Sequence, residues 1–139
     1  MTRLFVAAAI TVTGLLTLSL TQAQQPADDP RFTGISTVLD GKDLSAARRR
    51  FEPGARSAWH NHDNGQLLFA EKGRGRTQKR GQAMRELAPG DSDYTGPKVI
   101  HWHGAAPNEE FIQVNVGFGG ATNWMEKTTD DEYAGKVGK

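Results

Sequence analysis

From Gly54 onward the chain falls into short runs that glycine, proline, asparagine and aspartate interrupt, and in the last of them apolar and polar positions alternate with a period of two. Over 110–118, Ile112, Val114, Val116 and Phe118 fall on one side and Phe111, Gln113 and Asn115 on the other. That is the signature of a strand with two unlike faces, the second polar enough to line a pocket. Runs at 57–62, 66–71, 75–79, 83–87, 92–95 and 100–103 read as further strands. Asp63-Asn64-Gly65, Gly73, Gly81, Pro89-Gly90-Asp91, Gly96-Pro97 and Pro107-Asn108 separate them with the residues short hairpins need. Seven or eight strands so spaced predict an all-β sandwich or barrel. Upstream, 32–39 predicts a first strand ended by Asp40-Gly41, and 43–50 predicts a loop then a strand running into Phe51 and the Pro53-Gly54 turn. Near the other end, Thr129 and Glu132 stand at capping-box spacing and predict a short helix holding Tyr133. Trp124 and Met125 are expected to pack that helix onto the sheet.

The first residues break this pattern. Residues 1–23 combine Arg3, an apolar stretch diluted by threonine, and the small residues Thr21-Gln22-Ala23, the layout of a secretory signal. The expectation is a cleaved signal, a flexible leader over 24–31, and one domain over 32–139 that is secreted or periplasmic, with no stable membrane anchoring after cleavage. Arg3 is the only charge cleavage removes, so the 17 basic and 16 acidic side chains become equal in number. Nothing there points to nucleic acid. Arg48-Arg49-Arg50 is the one basic cluster, and a solvated strand or loop accounts for it. The chain has no cysteine, so neither a disulfide nor a lipidated cysteine enters the picture.

All four histidines sit in two H-x-H pairs, His60-Asn61-His62 and His101-Trp102-His103. On a strand each pair turns both imidazoles to one face, with Trp59 and Trp102 on the other, packed into a second layer or a subunit contact. Imidazole is a common ligand of divalent transition metals, and three with one further N or O donor leave coordination positions open. A single H-x-H carries little. Two that use every histidine in the chain point to a reactive metal centre.

Gly54, His60, His62, Gln66 and Gly73 then match the spacing G-x5-H-x-H-x3-E-x6-G, with Gln66 in place of glutamate. Pro89-Gly90-Asp91, Gly96-Pro97, His101 and Asn108 follow in a looser second motif. The sequence resembles the cupins on these residues. The resemblance implies a jelly-roll β-barrel with a short C-terminal helix, a metal held by His60, His62, Gln66 and His101, and a homodimer. It leaves His103 beside the metal as the candidate for acid or base work. The segments 51–60 and 101–107 and Trp124-Met125-Glu126 resemble more narrowly the manganese-dependent cupin hydroxynitrile lyases. Mn(II) is therefore the expected ion, with Fe(II) or another divalent metal as alternatives.

One departure bears on chemistry: Gln113 stands where those lyases carry a second active-site histidine, and an amide takes up no proton. Gln113 is expected in the substrate pocket, with hydroxynitrile lyase activity weak or absent. Neutral Gln66 also leaves the metal's charge uncompensated by protein, which favours an anionic ligand. The expected function is a metal-dependent lyase or oxygenase acting on a small organic molecule. A non-catalytic module binding a metal or small molecule is the alternative.

Overall fold

The computed structural model describes residues 31–33 and 35–136, so the signal expected over 1–23 and the leader up to residue 30 lie outside the described residues. The chain divides between Leu39 and Asp40. In the first unit residues 35–39 have no regular structure, and Ile35, Val38 and Leu39 are exposed. The strand expected over 32–39 is thus not formed. Apolar alternation is not enough: a strand needs a ladder partner for its backbone groups, and none of the ladders among the described residues takes these positions in.

In the second unit nine strands precede one helix: β1 (Ser45–Phe51), β2 (Ala58–His62), β3 (Gln66–Gly73), β4 (Gly75–Lys79), β5 (Arg85–Leu87), β6 (Ser92–Thr95), β7 (His101–Ala105), β8 (Phe111–Gly117), β9 (Thr122–Lys127) and α1 (Asp130–Tyr133). They make two antiparallel sheets, ordered β1-β8-β3-β6 and β5-β4-β7-β2-β9. The expected strands from residue 57 onward all form, as does the loop and strand at 43–50. β9 was not foreseen.

Between the sheets, Leu68, Ala70, Leu87, Ala105 and Phe111 are buried together with Phe51 packed against them. Register gathers them where Gly73 pairs with Phe111 and Gly75 with Ala105. At the other end of β3, Gln66 pairs with Gly117, and there the interior is left to polar side chains. β8 turns Phe111 and Gln113 inward and leaves Ile112, Val114 and Val116 half-buried on the outer face.

A second cluster lies on the outer face of the five-stranded sheet: Trp59 and Trp102 meet edge to face at 6.5 Å, with Tyr133, Met84, Ile100 and Met125 around them. Both tryptophans therefore face away from the histidines, into a second layer. The capping box forms as expected, Thr129 Oγ1 accepting from the Glu132 N–H and Glu132 Oε2 from the Thr129 N–H. This turns Tyr133 inward, where its hydroxyl donates to the Ala105 carbonyl at 2.7 Å. The helix α1 is thereby tied to the strand that carries His101 and His103. Gly104 of that strand is crossed by Arg56 so closely that a Cβ there would lie 2.4 Å from the Ala55 carbonyl oxygen.

Candidate metal centre

β2 and β7 run antiparallel with His60 opposite His101. The two rings lie 4.3 Å apart between centroids. Because the strands run in opposite directions, the second histidine of each pair lies on the opposite side of this shared rung. His62 lies toward the β2–β3 turn, and His103 lies toward Phe51, whose ring it meets at 5.8 Å. In that turn Gly65 takes φ +90°, and a Cβ on it would sit 2.7 Å from the Thr95 carbonyl oxygen. Asp63 braces the turn by pairing with Lys98 and accepting from the Ala121 N–H and the Asn123 amide. Gln66 then opens β3 with its Oε1 3.0 Å from His62 Nε2 and 3.2 Å from His101 Nε2.

The ring nitrogens are not equivalent. His60 Nδ1 faces the Ala58 carbonyl at 2.9 Å and His101 Nδ1 the Val99 carbonyl at 3.1 Å. A carbonyl accepts only, so each Nδ1 carries the proton and each Nε2 keeps its lone pair. His101 Nε2 therefore presents a lone pair to Gln66 Oε1, itself an acceptor in this amide orientation. Two acceptors facing each other are satisfied by a cation between them, and the donor set fits a divalent metal on that ground. His62 Nδ1 lies 3.0 Å from Thr122 Oγ1. His60, His101 and His103 also offer ligand atoms within 4.8 Å of one another.

Burial keeps these imidazoles neutral. It pushes His60 down to about 3, helped by the neighbouring His101, and His101 to about 4. His62, half-buried, is lowered less, and His103 is held well below the ordinary range, first by burial and then by His60 and His101. His103 differs in one more respect: its Nδ1 is buried without a hydrogen-bond partner. No protein group fixes its tautomer.

A cavity of about 360 Å³ opens onto this cluster, walled by His60, His62, Gln66 and His103 among others. His101 closes the cluster from behind, 2% exposed. Gln113, expected in the pocket, is fully buried one step behind the wall. Its Nε2 donates to Asn115 Oδ1 at 3.2 Å, and its Oε1 has no partner. Asn115 forms the wall itself. Trp124 does not pack on the helix as expected. It alternates with Met125 along β9, so only Met125 joins the tryptophan cluster, while Trp124 lines the cavity with its ring 4.6 Å from His60. Sequence reasoning also missed Thr122 and Arg49 as lining residues. The first lies on the unforeseen strand, and the second lies in a basic run read as solvated.

Two antiparallel sheets folded around a buried histidine cluster define a small double-sheet β-barrel with an interior centre suited to a divalent metal. The chain belongs to the cupin family: the cupin domain pattern matches residues 47–117. The chain is similar to an (R)-mandelonitrile lyase of Granulicella tundricola, 40% identical over 108 residues that span 76% of this chain and 79% of that protein. A cupin-like protein of Thermotoga maritima is 39% identical with a TM-score of 0.66, over 70% of this chain and 76% of that one. A DMSP lyase of Ruegeria pomeroyi shares the fold at 19% identity and a TM-score of 0.56, over 63% of this chain and 46% of that one.

Proposed function

We propose that this cupin is a metal-dependent lyase for a small organic molecule, with the metal held by His60, His62, Gln66 and His101 and with His103 as the proton-transfer group. The observation that carries the reading is the inequality of the ring nitrogens. Three imidazoles have a partner on Nδ1, and two of them, His62 and His101, turn Nε2 to Gln66 Oε1, whereas His103 lines the same cavity with a buried Nδ1 that has no partner. When bound, a divalent metal supplies Lewis acidity that steadies negative charge on a ligand atom. The residues do the rest: Gln66 and three neutral imidazoles add no counter-charge, and His103, held neutral by burial, has an unpartnered ring nitrogen that can take a proton in passing and give it up again readily.

The likeness to a mandelonitrile lyase makes cyanohydrin cleavage the first reaction to test. There the hydroxyl proton passes to His103 and leaves with cyanide as the C–C bond breaks. Gln113 cannot share that task, so we expect slow cleavage. Mn(II) or Fe(II) suits the nitrogen and oxygen donor set, and export and a homodimer complete the proposal. The test is elemental analysis of the purified protein together with turnover of mandelonitrile with and without dioxygen. About one divalent ion per chain and oxygen-independent cleavage support a lyase. Dioxygen consumption coupled to substrate loss would make it an oxygenase, and full metal without any turnover would make it a binding module.

A further inference from the structure

The run Arg48-Arg49-Arg50 lies on β1, where successive side chains take opposite faces. The outer two are engaged on the outer face. Arg48 pairs with Glu71, its Nε 2.7 Å from Oε2, and Arg50 Nε lies 2.8 Å from Glu110 Oε2. Arg49 is different. It stands opposite Gln113 on β8, shares the inward face with it, and lines the cavity with the histidines. Among the described residues it makes no hydrogen bond or ion pair with a side chain or backbone group, although its charge is felt at His103.

Among the described residues the cavity wall contains no carboxylate to neutralise it. The other arginine there, Arg56, is already committed: it donates to the Thr128 carbonyl, pairs with Asp130, and stacks 4.4 Å over the Tyr133 ring. Arg49 is thus an uncompensated guanidinium at a site whose donor atoms are otherwise neutral. A guanidinium presents a flat fork of N–H groups that matches a carboxylate in two parallel bonds. One fork with no second free cation suits a singly charged planar acid better than a phosphate dianion, and the cavity volume limits the ligand to a small molecule.

We propose that the substrate or ligand of this site is a short organic carboxylate, its acid group paired with Arg49 and its remaining oxygen or carbon functions turned toward the histidine centre. This deepens the small-molecule reading above and rests on it.

The test is calorimetric titration of the metal-analysed protein with acetate, glycolate and lactate, each against its neutral amide and against inorganic phosphate. The acids should bind more tightly than the amides. R49M should weaken the acids about 10- to 100-fold while leaving the amides unchanged. R48M, which disturbs only the outward pair with Glu71, should change neither. Equal binding of acids and amides, acid binding indifferent to R49M, or phosphate outcompeting all three acids would each overturn the proposal. Metal content separates the two readings. An Arg49-dependent acid preference in protein lacking metal would sink the metal centre and keep the carboxylate site, and full metal with no such preference would do the reverse.

Discussion

The two H-x-H pairs are spelled alike and come to rest in different surroundings. His60-Asn61-His62 lies on β2 and His101-Trp102-His103 on β7, and the antiparallel rung joining His60 to His101 places the first histidines side by side. The second histidines then fall at opposite ends of the cluster. His62 meets Gln66 and Thr122, has partners on both nitrogens, and is half-buried. His103 meets Phe51, is 6% exposed, and has an Nδ1 with no partner. The lesson is that the motif supplies imidazoles while strand direction sets what each of them meets.

The comparison can be broken by mutation. The largest effect is expected from His60→Ala, which removes the rung both pairs share: metal content should fall from about one ion per chain to near zero by elemental analysis. His62→Ala should do nearly the same. His103→Ala should instead keep its metal and lose turnover by about 10²- to 10⁴-fold, the range for a general acid or base. Equal metal loss in the His62 and His103 variants would erase the distinction. Thr122→Val takes away only the hydroxyl beside His62 Nδ1, and its expected cost is about 10- to 100-fold in metal affinity by competition with a chelator.

Two smaller effects sharpen the picture. Gln113→His should raise mandelonitrile cleavage several-fold, because a second proton acceptor then stands behind Asn115; an unchanged rate would show that burial keeps that position out of the chemistry. Acid should also weaken the metal-free fold. The unfolded chain binds protons on His60 and His101 below about the ordinary 6.5, whereas the folded chain resists until about 4 for His101 and about 3 for His60. Stability is therefore complete above pH 6.5 and falls as pH drops toward 4 and then 3, by about 1.4 kcal/mol per pH unit for each histidine. Urea midpoints from pH 7 to pH 4 would show it, and a flat profile would contradict the buried neutral state.

Reading the residues alone worked where a local signal coincided with a tertiary need. β4 and β6 have their expected bounds because glycine, proline or aspartate stands at their ends, and the Thr129 box capped its helix because both partners are three residues apart. Failures came where the partner is distant. Residues 32–39 carry apolar side chains without a ladder. Thr122–Lys127 pairs with β2 although its side chains show no apolar alternation. That the histidines would gather on one face could be read from their spacing, but the inward turn of Arg49 could not. Three consecutive arginines look alike until register on β8 separates the middle one from its neighbours.

The protonated Nδ1 atoms of His60 and His101, each against a backbone carbonyl in the barrel interior, have a spectroscopic consequence. Protons held in that way are shielded from exchange with water and resonate far downfield in a proton magnetic resonance spectrum, where few other signals fall. The molecule should therefore show two such lines, from His60 and His101 and none from the Nδ1 of His103. A diamagnetic ion such as Zn(II) would shift them while leaving them visible, and Mn(II) would broaden them away, so that two peaks would report both the filling of the centre and the kind of ion that fills it.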